Sequence, residues 1–324
     1  MEISHKKGIH FKAENEIFVD ASGIKNKEAL ITHAHSDHAK TSSTNTYYLT
    51  PETASLINPK GASLKKVKMN KKFNLNGFDC KFVSSGHILG SAQLEVCNDI
   101  TAVLTSDFKL QKSILFDGAE IIPSDVLIME ATFGRPEFIF PSREQVYEDM
   151  LRWINTQIKR KSFVVLGGYS TGKAQELTKL VNELTGETPL VYEKIFEQNN
   201  AYEKNGVKLG DYELLNHNAK DHHVLIMPPH LINDYLLLAL QHELKRNVEP
   251  AIATGWKKHS RYKTFPISDH ADFNDLLKYA KESEPKLVLT THGYEEDLAR
   301  SIKRKLGINA RPLSRNGQKT IGEF

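Results

Sequence analysis

The sequence predicts an α/β protein of about two domains, mainly β at its start and mixed helix and strand afterwards. Three observations carry this expectation. The chain has 324 residues, and domains run to roughly 100–200 residues each. The first part breaks into short apolar runs divided by turn residues, which is the spacing of strands. From about Arg143 the period changes to a βαβ rhythm.

Taken in order, strands are expected over Ile17–Asp20, Ala29–Thr32, Thr46–Leu49, Lys81–Ser84, Gln93–Cys97, Ala102–Thr105 and Val126–Met129. Helical periodicity over Glu144–Lys159 leads into a strand at Phe163–Leu166, a turn, and a helix over Lys173–Leu184. A loop-rich polar middle follows. A strand at Val224–Met227 stops at Pro228 and Pro229, and Leu231–Leu244 reads as helix. The end alternates helix (Asp272–Lys281), buried strand (Leu287–Thr290) and helix (Glu295–Leu306), the last stopped by Gly307. No repeat or low-complexity segment interrupts the pattern.

Composition excludes several classes. Hydrophobic residues make up 40% and charged residues 26%, with no run of ~18 apolar residues to span a bilayer and no secretory leader. A soluble, cytoplasmic chain with no membrane partner is expected. The two cysteines, Cys80 and Cys97, form no close Cys–Cys or Cys–His pair, so any metal must be held by histidines and carboxylates. The formal charge of +3 is compatible with a polyanionic partner and too small to demonstrate one.

The strongest chemical signal is Thr32-His33-Ala34-His35-Ser36-Asp37-His38, directly after an apolar strand. Three imidazoles and a carboxylate where a strand gives way to a loop can turn toward two neighbouring cations. Zinc takes that mix of nitrogen and oxygen donors, whereas magnesium and calcium prefer oxygen. His87, Asp107 and His292 each follow a strand in the same way. A sheet that presents ligands from successive strand ends gathers distant residues into one rim, and a carboxylate such as Asp107 can bridge two ions ~3.5–4 Å apart.

The run THAHSDHA, with GHILGSAQ at 86–93 and TSDF at 105–108, resembles the metallo-β-lactamase superfamily. MEATFG at 129–134, SDHADF at 268–273 and THG at 291–293 resemble the extra motifs of its β-CASP nuclease branch. GYSTGKAQEL at 168–177, YEKNGVKLG at 202–210, ATGW at 253–256 and INARPL at 308–313 look like the DNA ligase-associated exonucleases. The resemblance covers nearly the whole chain. It implies an αββα metallo-β-lactamase sandwich from residues 1–142 and 266–324, with an α/β β-CASP domain inserted at 143–265. It also implies two zinc ions. His33, His35 and His87 would hold one, Asp37, His38 and His292 the other, and Asp107 would bridge them. Asp37 counts among the catalytic residues as well. Asp20 would orient a ligand rather than be one. Glu130 and His270 match the pair placed beside the leaving oxygen, with His270 as general acid and Glu130 holding it.

Gly167–Lys173 reads G-x-x-x-x-G-K after a strand, but Ala174 supplies no hydroxyl for magnesium, so a nucleotide-binding P-loop is not expected. Lys173 at the helix start is a candidate nucleic-acid contact. So are Lys257, Lys258 and Arg261, which alternate with aromatic residues between Trp256 and Lys263. His217, His222, His223 and His242 read as ordinary surface or packing histidines.

The function expected is a zinc-dependent nuclease, a DNA exonuclease of repair, with a DNA ligase or helicase as the partner the resemblance implies. The alternative is an RNA-processing nuclease of the mRNA 3′-end type, which His292 favours by resemblance. A small-molecule hydrolase ranks lower because of Glu130, His270 and the extra domain. A catalytically dead subunit is disfavoured by the complete ligand set.

Overall fold

The computed structural model describes residues 1–216, 219–256 and 261–313. The chain divides into two compact units. The first comprises 1–110, 118–139 and 270–324, and the second comprises 111–117 and 140–269.

The first unit is a helix–sheet–sheet–helix sandwich. One sheet has six strands in chain order: Glu2–His5, Ile9–Lys12, Glu16–Val19, Glu28–Leu30, Thr46–Leu49 and Ser63–Lys66. The other has seven, in the order Ala310–Pro312, Leu287–Gly293, Val126–Ala131, Thr101–Leu104, Ala92–Cys97, Phe78–Ser84 and Lys72–Leu75. Alternation along the strands builds the layers. Val126 and Ile128 join Phe11, Ile17, Phe82 and Leu94 in the core between the sheets. Leu127 and Met129 instead join Phe273, Leu276, Leu298 and Ile302 from the helices Phe273–Glu282 and Glu295–Leu306. Val126–Ala131 is therefore buried at every position, which is why it reads as a continuous apolar run. On the outer face of the six-stranded sheet, Ala29, Ile31 and Tyr47 pack with Ala54 of the short helix Pro51–Leu56.

The second unit has a parallel six-stranded sheet, ordered Glu213–Leu214, Leu190–Val191, Val224–Met227, Phe163–Gly167, Val248–Ala253 and Lys263–Phe265. Val164 and Leu166 pack on one face with Met150, Ile154, Leu177 and Ile195 from the helices Arg143–Lys159, Lys173–Thr185 and Glu193–Lys204. Phe163 and Val165 pack on the other with Ile232 and Leu244.

Several elements differ from expectation. The helix expected from Leu231 starts at Asp234, because Asn233 caps it and residues Pro229–Leu231 form a 3-10 turn. The polar middle holds the helix Glu193–Lys204. The strands at 2–12, 63–75 and 248–253 were not expected. Among the described residues no helix is long and apolar enough to cross a membrane.

Candidate metal centre

The site begins with Asp20, whose backbone is left-handed at φ 50°, a conformation that persists in non-glycine residues only where surroundings enforce it. Its Oδ1 accepts the Thr32 N–H at 2.8 Å, and its Oδ2 accepts the Thr32 hydroxyl at 2.6 Å and the His38 Nδ1–H at 2.8 Å. The Thr32 oxygen in turn lies 3.1 Å from His33 Nδ1 and 2.7 Å from Ser106 Oγ. Since the Thr32 proton goes to Asp20, its oxygen accepts from both neighbours. One carboxylate and one hydroxyl thus place the protons of His33 and His38 on Nδ1 and leave both Nε2 atoms as lone-pair donors.

The loop after the strand Glu28–Leu30 is a tight turn, with His38 and Ala39 N–H groups both donating to His35 O. It folds His33, His35 and His38 against one another. Asp107, after the strand Thr101–Leu104, brings one oxygen to all the buried rings. Its Oδ2 is 3.4 Å from His33 Nε2, 3.6 Å from His38 Nε2 and 3.8 Å from His87 Nε2. His87 Nε2 is 3.1 Å from His35 Nδ1.

Zinc fits this set. Four donors at zinc's usual ~2.0–2.1 Å lie about 3.4 Å apart at tetrahedral corners. Donor atoms from His33, His35, His87 and Asp107 all lie within 4.8 Å of one another. His33 Nε2 is fully buried with no hydrogen-bond partner, a cost that a buried polar atom rarely bears without an ion or water to meet it. Burial, with His38 adding to it, pushes His33 down to about 4, and burial, with His270 next, holds His87 well below the ordinary imidazole value. Both rings are kept in the neutral form a metal requires. Burial also works against ionisation of Asp107, but His38 and His270 outweigh it and hold the carboxyl well below its usual range. For His38 burial opposes the cation, and Asp107 and Asp20 outweigh it and raise the ring to about 10, so without a metal this ring also carries a proton on Nε2, which a metal would have to displace to use that lone pair.

The second expected set is more open. Asp37 Oδ2 is 3.7 Å from His38 Nε2 with its side chain 74% exposed. His292 is exposed, left-handed at φ 55°, and its ring centroid lies 5.5 Å from that of His38. Gly293 follows at φ 103°, where a Cβ would lie 2.5 Å from Ala131 O, so glycine is required for the close approach that places His292.

Beside these candidate donors, Glu130 is buried at the end of its strand. Its Oε1 accepts the Phe108 N–H and its Oε2 accepts His270 Nδ1–H, both at 2.8 Å. The His270 ring lies 4.8 Å from that of His87. Thr32 and Ser106, which sequence reasoning did not assign, complete the centre.

Residues 257–312 match the family model described as "Zn-dependent metallo-hydrolase RNA specificity domain". The chain is 30% identical over 311 residues to a "Probable DNA ligase" of Opitutus terrae, covering 91% of this chain and 30% of that one. It is 26% identical over 226 residues to an "RNase J-like protein" of Methanocaldococcus jannaschii, covering 68% of this chain and 51% of that one. The chain belongs to the metallo-β-lactamase superfamily, in its β-CASP nuclease branch. It spans less than two thirds of the length of either relative. A crystal structure of a protein of unknown function from Enterococcus faecalis V583 shares the β-CASP chain's fold, with a TM-score of 0.68 over 98% of this chain and 97% of that one, at 12% identity.

One residue expected to touch nucleic acid is misplaced for it. Lys173 is 2% exposed, its Nζ 2.9 Å from Asp269 Oδ2. The helix it opens packs into the core of the second unit, so the ammonium is taken up by a buried carboxylate instead of a phosphate. Arg261 is exposed and bonds Asp234 Oδ2 at 2.6 Å. Lys257, Lys258 and His217 lie outside the described residues. His222 and His223 make local contacts with Thr188 O and Glu187.

Proposed function

We propose that this β-CASP chain hydrolyses phosphodiester bonds of nucleic acid with two zinc ions, and that its substrate is single-stranded DNA degraded from an end. The observation that carries the reading is the convergence of three buried imidazoles on one oxygen of Asp107, beside the Glu130–His270 pair. His33, His35 and His87 with Asp107 would hold one ion. Asp37, His38 and His292 with the same carboxylate would hold the other, since seven donors exceed one tetrahedral ion. Zinc there supplies Lewis acidity, which brings the pKa of water toward neutrality and neutralises charge growing on a phosphate. The chain's own residues do the rest. Asp20 and Thr32 keep the lone pairs of His38 and His33 pointed inward. Glu130 raises the basicity of His270 and fixes its Nδ1 proton, so the proton on Nε2 is the one given to the departing oxygen.

DNA is favoured because the likeness that spans 91% of this chain is to a protein named as a DNA ligase. The same likeness supports a DNA ligase as partner, and work in the cytoplasm is part of the same proposal. RNA is the second reading, supported by the name of the family model at 257–312 and by the RNase J-like relative. The test incubates zinc-loaded protein with end-labelled single- and double-stranded DNA and RNA. Progressive shortening of single-stranded DNA, slower as salt rises because phosphate contacts release counterions, is expected. Internal cutting of RNA with DNA left whole would overturn the substrate.

A further inference from the structure

The chain nearly balances its charges, with 43 basic against 40 acidic side chains, but it does not spread them evenly. Between Glu52 and Asp79, 26 residues hold six lysines and no acid. All lie in the first unit, along its open side: Ser63–Lys66 is the edge strand of the six-stranded sheet and Lys72–Leu75 that of the seven-stranded one. The residues between them cross from sheet to sheet. Val67 N–H still donates to Leu49 O at 2.8 Å, and Asn70 N–H already donates to Phe82 O at 2.7 Å. A turn makes the crossing, closed by Lys71 N–H on Lys68 O at 3.3 Å with Asn70 left-handed at φ 60°. The rings of Tyr48 and Phe73, one from each sheet, stack beside it at 5.8 Å.

Lys66, Lys68, Lys71 and Lys72 are exposed along this crossing, and among the described residues none of the four forms an ion pair. Neighbouring lysines are answered: Lys65 by Glu28 at 2.9 Å and Lys81 by Glu95 at 2.6 Å. Lys72 stands directly opposite Lys81 across the strand pair, and like charges so placed cost stability. Lysine on an edge strand does keep other chains from pairing there, which accounts for Lys66 and Lys72. It does not account for Lys68 and Lys71, which sit off the strands, nor for a single sign where surfaces usually mix both.

The stripe shares a rim with the candidate metal centre. Leu30, Tyr48 and Lys65 form one row across three parallel strands, two spacings of ~4.8 Å, or roughly 10 Å in all. The turn that carries His33 leaves just after Leu30, and Lys66 ends its strand at that same end of the sheet. In the other sheet Lys72 faces Lys81, near the end of the strand that leads to His87.

We propose that Lys66, Lys68, Lys71 and Lys72 hold the phosphates of a nucleic-acid strand that runs past the candidate centre. The proposal rests on reading the substrate as nucleic acid. The contact is to backbone and not to bases, because stacking needs an exposed ring, and both rings of the stretch, Phe73 and Phe78, pack into the core. Binding through the stripe is therefore indifferent to sequence and requires a strand long enough to reach it.

The experiment uses the full-length, zinc-loaded chain and two variants: Lys66→Gln, Lys68→Gln, Lys71→Gln and Lys72→Gln combined, and the same four positions changed to Arg. Substrates are a long labelled single strand of DNA or RNA, whichever wild type cuts, and a dinucleotide too short to reach the stripe. With the Gln set, KM for the long strand should rise roughly 10–100-fold at low salt, and the slope of log KM against log salt should become shallower by about 2–3, since each lost phosphate contact on a single strand removes about 0.7. KM for the dinucleotide should not change, and the Arg set should keep the wild-type KM on the long strand, because either cation meets a phosphate. If the Gln set aggregates through its unguarded edge, Lys68→Gln with Lys71→Gln, both off the strands, carries the test with about half the change in slope. A long-strand KM equal to that of wild type overturns the proposal and leaves the stripe to an acidic protein surface. An equal rise on the dinucleotide also overturns it, since the lysines would then act only through their field. If wild type cuts neither DNA nor RNA, the substrate reading falls by itself, and the stripe is judged by anisotropy titration of the same labelled strand: weaker binding by the Gln set upholds it, and equal binding overturns it.

Discussion

The oxygens of Asp20 and Thr32 decide which nitrogen each ring would turn toward a metal, without belonging to the proposed donor set. Asp20→Asn replaces a carboxylate that accepts from both Thr32 and His38 with a group that must present an N–H to one of them. Zinc affinity should fall about 10–100-fold, measured by competition with a chromogenic chelator. Affinity within twofold of wild type would show that His38 orients itself. At this scale the donors were legible and their supports were not. Three histidines and an aspartate in six residues stand out in any reading. By contrast, Thr32 meets Ser106 across 74 positions of sequence, a pairing that only the two sheets' packing creates. Lys173 was misread for the opposite reason. Its glycine-rich approach looks like a phosphate cradle, and nothing local shows that Asp269, far along the chain, will take its charge.

Among elements, what could be read depended on how apolar the buried face is. Val126–Ala131 and Leu287–Gly293 bury their apolar side chains on both faces and announce themselves. The helix Glu193–Lys204 buries Ile195, Gln198, Asn199 and Tyr202, a helical spacing with two amides in it, so hydrophobic periodicity misses it. Those amides are satisfied inside, with Gln175 Nε2 donating to Asn199 Oδ1 at 2.9 Å. The strand Val248–Ala253 hides behind Pro250. That proline precedes the residues paired with Lys263–Phe265, where the strand still has an open side to lose an N–H on. The helix Phe273–Glu282 carries a testable cost. Burial, with Asp272 adding to it, raises Asp275 from an ordinary 3.8 to about 6. A carboxyl whose folded value is raised favours the folded state when protonated, below about 3.8, and loses that contribution as pH rises through about 6. Asp275→Asn removes the ionised form, so it should raise the melting temperature at pH 7.5, with the gain fading toward pH 4. A gain independent of pH would mean that ionisation of Asp275 is not its source, and a loss at pH 7.5 that attraction to the helix N-terminus outweighs burial.

Across the whole molecule, every metal donor proposed here belongs to the first unit, yet the donors run from residue 33 to residue 292, with the second unit's 140–269 stretch between the last two. The order of motifs along the chain therefore hides how compact the site is, and strand-end placement and the family resemblance were the sequence signals that pointed to it. Metal gathered from strands so far apart exists as a site only when the first unit is folded, so zinc should stabilise that unit by mass action, by about 2.7 kcal/mol at 100 times the dissociation constant. For a unit of this size, that corresponds to a rise of roughly 5–10 °C. Scanning calorimetry of chelator-treated protein, before and after two equivalents of zinc, is expected to move the first unit's transition upward by that order. A transition assigned to the second unit, which supplies none of the proposed donors, should move less. Assignment follows from repeating the scan with His87→Ala, which removes a donor from the buried set: its zinc-dependent shift should shrink in the first unit's transition alone. Equal shifts in wild type and His87→Ala would mean that zinc stabilises the protein from somewhere other than the cluster around Asp107.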